Sequence, residues 1–541
     1  MMLTKADALE SRLAYEPQIL GFGTSGRRGK VVDLTQLEIY INALAELDYL
    51  QSLPVDRGGI TRGDEFFFAY DLRPSSTAFA PEEKGRGEIA QAIVQALCDA
   101  GMRPVNLGRI PTPALASYAL ALGKGSIMIT GSHIPFERNG YKTNSSRGEL
   151  LKEQETPINE NVARVRQKIY QQPSAESLFN EQGMLKAGHQ ELPAENGDAR
   201  ASYIERYTRF FAGLSLKGKR ILVYQHSAVG REVLVEILEQ LGAEVVPAGR
   251  SDTFVPIDTE NIDAAQLAVI QNLADKAGKP LHAVVSTDGD SDRPLILGVD
   301  AATGKVQFFG GDLVGMVVAE FLQADAVVVP ISCNDAIDRG PLAPVLEAKT
   351  RIGSPYVITG IEGALAKGKK RVCGWEPNGG FLLGSPLVRN GATLAPLATR
   401  DAVLPILSVL FAAGDQSLVE LFAKLPKRFS RAALLKQFPR ATALKIVDRF
   451  SVPNLADVLK DLPSFFTPAL GFAAPSHVDY TDGVRVLFSN GEVAHVRPSG
   501  NADELRFYAV ADTQKRADEM AAMGVAEPDG ILRRMEKAVH G

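Results

Sequence analysis

Through the first 130 residues, short apolar runs alternate with longer amphipathic stretches, a pattern that predicts strands interleaved with helices. The spacing predicts a helix over 34–51, a strand at Phe66–Tyr70 and a helix over 88–100. A strand over 104–107, a helix over 113–122 and a buried strand at Ile127–Ile129 follow. Alternation of this kind is the signature of an α/β unit. From Ser145 to about Ser202 the chain turns polar, with Lys152-Glu-Gln-Glu155 and Glu195-Asn-Gly-Asp198, and reads as a surface helix and linker. The pattern then restarts with strands at 220–224, 244–247 and 282–286 and helices over 230–241 and 264–277. A further unit opens at Gly311, with a helix over 313–322, a strand over 326–331 and a helical stretch ending near Lys427. From about Ser430 two strand-like runs, 484–488 and 505–510, flank a glycine-containing loop, and a last helix starts at Gly530. The expected divisions are 1–202, 203–302, 303–429 and 430–541: three α/β domains and a smaller α+β domain.

Length agrees with this division, because 541 residues exceed what one core organises. A net charge of −5 argues against nucleic-acid binding, so any bound phosphate must be held by a local cluster of cations. Cys98, Cys333 and Cys373 fit neither a metal spacing nor a disulfide framework, which suits a reducing compartment. Met1–Leu20 carries Lys5, Asp7, Glu10, Arg12 and Glu16 and has no apolar signal core. The apolar windows 313–331 and 402–414 are interrupted or too short to span a bilayer and read as buried core. A soluble, cytoplasmic protein with no membrane or nucleic-acid partner is expected.

The candidate chemistry lies in loops. Gly21-Phe-Gly-Thr-Ser-Gly26 matches a dinucleotide fingerprint, but Arg27-Arg28-Gly29-Lys30 follows where an apolar helix is required. Its amides, hydroxyl and two arginines suit a phosphate instead. After Ile129, the chain presents Thr130, Ser132 and His133, then the turn residues Pro135 and Asn139-Gly140, then Lys142. A hydroxyl beside an imidazole at a strand end is compatible with an ordinary polar loop or with a nucleophile. Asp288-Gly-Asp-Ser-Asp-Arg293 sets three carboxylates at alternate positions between apolar runs. Such charges repel unless a cation sits among them. Arg293 and Val299 exclude an EF-hand, and Mg²⁺ completed by a phosphate oxygen suits the loop, with a solvated acidic turn as the alternative.

Gly374-Trp-Glu-Pro-Asn-Gly-Gly380 offers Glu376 and Asn378 as readers of sugar hydroxyls; Trp375 is expected to be packing. Arg497-Pro-Ser-Gly-Asn-Ala-Asp-Glu-Leu-Arg506 can bring Arg497, Ser499, Gly500, Asn501 and Arg506 onto one phosphate. Pairing of its arginines with Asp503 and Glu504 in a solvent-facing hairpin is the alternative. Gly363-Ala-Leu-Ala-Lys-Gly-Lys-Lys370 lacks the Ser or Thr of a P-loop and is set aside.

The order of these loops resembles the α-D-phosphohexomutases: Gly-Thr-Ser-Gly-Arg at 23–27, Thr-Gly-Ser-His-x-Pro with Asn-Gly-x-Lys at 130–142, Asp-Gly-Asp-x-Asp-Arg at 288–293, Gly-x-Glu-x-x-Gly at 374–379 and Arg-Pro-Ser-Gly at 497–500. The resemblance covers nearly the whole chain and implies four domains around a central cleft. It implies that Ser132 carries phosphate and that Mg²⁺ binds Asp288, Asp290, Asp292 and a phosphoserine oxygen. It further implies that hexose 6-phosphate and hexose 1-phosphate interconvert through a hexose 1,6-bisphosphate. Arg27, Arg73, His133, Lys142 and Arg293 would shape the transfer site. Glu376 and Asn378 would hold sugar hydroxyls, and the 497–506 loop would hold the phosphate that is not transferring. A phosphomannomutase acting as monomer or homodimer is expected, with glucose as a second substrate. Glucose or glucosamine phosphate specificity and a phosphoserine-dependent phosphohydrolase are the alternatives. The chain departs from the family at Gly131, Ile134, Pro377-Asn378, Asn501-Ala502-Asp503 and Thr350–Ser354, where only Arg351 can supply a cation.

Overall fold

Phe66, Phe67, Phe68 and Ala69 are consecutive and all buried, which a strand achieves only when both sheet faces are covered. The computed structural model, which describes residues 7–23, 26–260, 262–499 and 503–540, shows how. Strand Glu65–Tyr70 lies between Ser126–Ile129 and Arg103–Asn106 and is parallel to both. Arg138–Ser145 and Arg27–Lys30 extend the sheet antiparallel. Phe66 and Phe68 face one helical layer; Phe67 and Ala69 face the opposite side.

The second sheet runs Glu244–Arg250, Arg220–His226, Ala283–Thr287, Pro294–Val299, Val306–Phe309. The third runs Ala326–Val328, Val372–Trp375, Phe381–Leu383, Leu397–Asp401. Inward residues of all three sheets belong to one continuous apolar cluster that includes Phe67, Met128, Val223, Val285, Val327 and Trp375. Helices Asp198–Phe210, Gly311–Phe321 and Val403–Ala413 supply much of its remainder. The three α/β units are therefore welded by a shared core rather than set side by side. The fourth unit is different. Its five antiparallel strands, in the order Phe429–Lys436, Glu504–Ala511, Val493–Pro498, Val484–Phe488, Pro475–Asp479, pack with helices on a separate cluster.

Two expectations need correction. The second sheet continues to Phe309, so a break at 302 would cut the antiparallel pair Pro294–Val299 and Val306–Phe309. A break at 203 falls inside helix Asp198–Phe210, whose Tyr203 and Tyr207 hydroxyls donate to Asp401 of the third unit. The polar stretch after Ser145 contains the expected surface helix, Glu155–Tyr170, which buries Ile158, Val162, Val165 and Ile169 against the first unit. Its net polarity concealed the apolar face. Trp375 is packing, as expected: it stacks on Phe381, and its ring leaves no room for a side chain at Gly315. Cys98, Cys333 and Cys373 are free thiols. Among the described residues no helix is long and apolar enough to cross a membrane.

Candidate active site

Strand Ser126–Ile129 ends at Thr130, whose hydroxyl donates to Asp71 Oδ2 at 2.8 Å and accepts the Ser132 N–H at 2.7 Å. Those bonds hold Ser132 in the left-handed region (φ +54°), a conformation costly for a residue with a Cβ. Arg73 locks the turn from behind: Nη2 donates to the carbonyls of Ser132 and Ile134 at 2.8 and 2.7 Å, and the guanidinium stacks on Phe254. The result points the Ser132 hydroxyl at the acidic loop, where it donates to Asp288 Oδ2 at 2.7 Å.

Asp288, Asp290 and Asp292 are fully buried and offer carboxylate oxygens that all lie within 4.8 Å of one another. The loop is shaped by Ser291 (φ +58°), whose hydroxyl accepts the Gly230 N–H, and by Gly289, where a Cβ would strike the Ser132 carbonyl. Lys142 Nζ donates to Asp290 Oδ2 and Asp292 Oδ2 at 2.7 and 2.8 Å. Arg400 Nε and Nη2 reach Asp292 Oδ2 at 3.1 and 2.9 Å, and its Nη1 reaches Glu376 Oε2 at 3.1 Å. One guanidinium thus ties the acidic loop to the glycine-rich loop of the third unit. Burial disfavours charge on Asp290, but Lys142, the Thr112 hydroxyl and Arg400 outweigh it and hold the carboxyl below its usual range. Asp288 goes the other way: burial and its two acidic neighbours push it well up.

The three aspartates fit a divalent cation. Asp290 Oδ1 and Asp292 Oδ1 are buried without a hydrogen-bond partner, while the Oδ2 atoms are occupied by Lys142 and Arg400. Four carboxylates, those of Asp288, Asp290, Asp292 and Glu376, face four cations, those of Arg28, Lys142, Arg293 and Arg400. A divalent cation beside Asp288 would favour its ionised form, and with all four carboxylates charged that cation and a phosphoserine of roughly −1.5 to −2 keep the balance.

His133 Nδ1 accepts a hydrogen bond from Arg293 Nη1 at 2.9 Å and lies 3.5 Å from Ser132 Oγ. Burial, then the charges of Arg293 and Arg28, hold its pKa well below 6.5, so the imidazole is neutral and its Nδ1 is an acceptor.

Several residues expected in this site stand elsewhere. Arg27 turns into the first unit, where its Nε pairs with buried Glu46 at 2.5 Å and its guanidinium covers Phe22. On an extended strand its neighbour points the opposite way. Arg28 is accordingly the arginine among Arg293, Asp290, Arg400 and Asp292, with its pKa lowered to about 10 by burial and then by the other arginines. Arg73 stays in the site and shapes it through the serine loop's backbone, at the carbonyls of Ser132 and Ile134. Asn139-Gly140 is not a turn but part of strand Arg138–Ser145: Asn139 Nδ2 donates to Ser75 and Ser76, and Gly140 packs against the Arg27 carbonyl. Asn378 uses its side-chain oxygen on the Gly380 N–H and its carbonyl on Thr259. Arg351 Nε donates to the Thr481 carbonyl.

In the fourth unit Arg497 and Arg506 are directly opposed on adjacent strands, with carboxylates beside them: Asp482 at 3.0 Å and Glu504 at 3.2 Å. Ser499 is buried next to them. Gly500 and Asn501 lie outside the described residues, as do Thr24 and Ser25 of the first loop.

Sequence reasoning missed Thr112, whose hydroxyl donates to Asp290 Oδ2 at 2.6 Å, and Arg400; it offered both Arg27 and Arg28 to a phosphate but carried Arg27 into the transfer site in place of Arg28. A signal existed for Arg400: Arg400-Asp401 is a charged pair beside a strongly apolar run, and buried charges require partners.

Models described as phosphoglucomutase/phosphomannomutase alpha/beta/alpha domain I, alpha/beta/alpha domain II and C-terminal domain match residues 20–168, 201–300 and 443–527. A phosphomannomutase of Sinorhizobium fredii is 37% identical over 509 residues, 93% of this chain and 98% of its own. A phosphomannomutase of Salmonella muenchen is 38% identical over 500 residues, 92% of this chain and 93% of its own. The crystal structure of a putative phosphomannomutase from Thermus thermophilus superposes with a TM-score of 0.65 at 21% identity, covering 97% of this chain and all of that one.

Proposed function

The chain belongs to the phosphoglucomutase/phosphomannomutase family of intramolecular phosphotransferases, and on that premise we propose that it interconverts mannose 6-phosphate and mannose 1-phosphate. Glucose phosphates are its second substrates. The observation that carries the reading is the Ser132 hydroxyl 2.7 Å from Asp288, at the edge of three buried carboxylates, two of which, Asp290 and Asp292, keep an unpartnered oxygen. Similarity to two phosphomannomutases over nine-tenths of the chain supports the choice of mannose.

In this reading Ser132 carries a phosphoryl group. A free hydroxyl oxygen of the sugar monophosphate forms a bond to that phosphorus as the bond to Ser132 Oγ breaks, and the hydroxyl's proton ends on Ser132 Oγ, giving a hexose 1,6-bisphosphate. After the bisphosphate turns over, Ser132 Oγ takes the other phosphoryl group and the isomeric monophosphate leaves. Asp288, Asp290 and Asp292 would hold Mg²⁺, which supplies positive charge against the transferring group. Lys142, Arg293 and Arg28 line the same space with fixed cations and exclude the cost of reorganising water there. Glu376, oriented by Arg400, reads a sugar hydroxyl; Arg497, Ser499 and Arg506, with Gly500 and Asn501, take the phosphate at rest.

The test is Ser132→Ala assayed with Mg²⁺ and glucose 1,6-bisphosphate on mannose, glucose and glucosamine 1-phosphates. Wild type is expected to turn over mannose 1-phosphate fastest and to stop with EDTA, and the variant to be inactive. Undiminished turnover by the variant would refute the phosphoserine; a faster rate on glucosamine 1-phosphate would refute the substrate.

A further inference from the structure

Arg497 and Arg506 sit opposite each other on antiparallel strands, and two guanidiniums in one patch of sheet repel unless each has a counter-charge. Arg506 finds its partner locally, in Glu504 two residues away. Arg497 does not. Its Nε forms an ion pair at 3.0 Å, without hydrogen-bond geometry, with Oδ1 of Asp482, on the turn that precedes strand Val484–Phe488. Oδ2 of the same carboxylate accepts the backbone N–H of Ile352 at 3.0 Å, in the Thr350–Ser354 loop of the third unit. Beside it Arg351 Nε donates to the Thr481 carbonyl at 3.1 Å, so the turn is held to that loop twice.

The turn itself is stiff. His495 Nε2 donates to the Asp482 carbonyl at 2.6 Å, and Gly483 (φ +83°) lies where a Cβ would be 2.4 Å from the Val496 carbonyl. The far end of the loop is anchored too: the Ser354 hydroxyl donates to Glu149 Oε2 at 2.8 Å, and Glu149 Oε1 accepts from Thr399, the neighbour of Arg400. A chain of contacts therefore runs from the acidic loop through the third unit to Arg497.

We propose that Asp482 is a positioning residue for the reaction. The Asp482 carboxylate lies against the Nε edge of Arg497 as a counter-charge, which leaves the remaining edge of the guanidinium to meet a phosphate bidentately. The same carboxylate docks the fourth unit on the Thr350–Ser354 loop. Because that unit has its own core, separate from the one the other three share, polar ties of this kind set where its phosphate ligands stand. Arg351 is then accounted for: it holds the turn that carries Asp482 instead of reaching the substrate. The proposal rests on the assignment of Arg497 as a phosphate ligand.

The experiment is steady-state kinetics of the full-length enzyme with mannose 1-phosphate, Mg²⁺ and glucose 1,6-bisphosphate, comparing Asp482→Ala, Asp482→Asn, Arg351→Ala and Arg497→Ala. Asp482→Ala is expected to raise KM about tenfold, as loss of an oriented charge-assisted contact does. The effect falls mainly on KM because the resting phosphate is held alike in ground and transition states. Asp482→Asn, which keeps an acceptor for the Ile352 N–H, should lie between, and Arg351→Ala should raise KM by a smaller factor. If Asp482→Ala leaves KM unchanged or lowers it while Arg497→Ala raises it, Asp482 merely competes with the phosphate and the proposal is overturned. If Arg497→Ala leaves KM unchanged, the assignment of the phosphate loop fails instead.

Discussion

Replacing Arg400 with Met removes three charge-assisted hydrogen bonds at once, two to Asp292 Oδ2 and one to Glu376 Oε2. The consequences at the two ends differ. Asp292 Oδ2 keeps Lys142 at 2.8 Å, so part of its stabilisation survives, whereas Glu376 is 3% exposed and loses the guanidinium that neutralises it. Hydrogen bonds to charged groups contribute about 1.5–3 kcal/mol each, and the Glu376 bond plus part of the Asp292 pair comes to about 2–4 kcal/mol. In kcat/KM that is a loss of roughly 30- to 1,000-fold. The mechanism is tested by a double-mutant cycle with Glu376→Gln, because an amide has no charge left to strand. If Arg400 acts by bridging the two loops, the double variant should lose at least about 1 kcal/mol less than the sum of the singles. The assay is kcat/KM for mannose 1-phosphate with Mg²⁺ and glucose 1,6-bisphosphate for wild type, both singles and the double. Additivity within about 0.5 kcal/mol would show that Arg400 and Glu376 act independently and would refute the bridge.

Gly131→Ala would place a Cβ 2.5 Å from Arg73 Nε, and Arg73 cannot retreat because it is tied to the Ser132 and Ile134 carbonyls and stacked on Phe254. A loss of about 1–3 kcal/mol is expected from such overpacking, read by urea unfolding, with kcat reduced; unchanged stability would contradict the locked turn. His495 is buried and neutral, its pKa lowered to about 4 by burial, partly offset by its bond to the Asp482 carbonyl. Below about pH 6.5 the unfolded chain binds a proton that the folded one refuses, so this contribution is present above that pH and lost as pH falls toward 4. His495→Gln should therefore flatten the acid limb by about 2 kcal/mol between pH 7 and pH 5 in urea titrations, and an unchanged limb would exclude His495 as its source. Arg428 joins the third and fourth units, binding Asp335 through Nε and Nη2 at 2.6 and 2.7 Å and Asp512 through Nη1 at 2.6 Å. Arg428→Met leaves Asp335 only the longer ion pair with Arg339 at 3.8 Å, so the cost should fall below the roughly 3–5 kcal/mol of a fully unpaired buried charge. It should raise protease susceptibility near residue 428 and the radius of gyration in solution scattering; compact scattering would argue against the joint.

Much of the site was legible because its parts are local. Three aspartates at alternate positions between apolar runs repel one another when brought together, so their spacing marked a candidate cation site beside the alternative of a solvated turn, and the structure buries all three within 4.8 Å. Ser132, His133 and Lys142 follow a strand whose apolar run is unmistakable, and the order of the loops along the chain identified the family. Arg27 and Arg28 show the limit. Adjacent residues on a strand face opposite sides, and a one-residue difference in register exchanges a structural ion pair with Glu46 for a place beside Asp290. No property of the two arginines distinguishes them. Register does, through the pairing of Arg27 with Tyr141 and Arg28 with Gly140. The same pairing turned Asn139-Gly140, a turn signal by composition, into the start of strand Arg138–Ser145.

What the sequence determined by itself was the succession of α/β units and the identity of the chemical loops, because hydrophobic periodicity and motif spacing act over one or two elements at a time. The tertiary structure decided everything that depends on meeting across distance. It brought Arg400 to Asp292, Thr112 to Asp290 and Asp482 to Ile352, and it merged the inner faces of three sheets into one core while leaving the fourth unit its own. Buried charges must be paired by whatever the fold carries to them, and that pairing exists only once the sheets are packed.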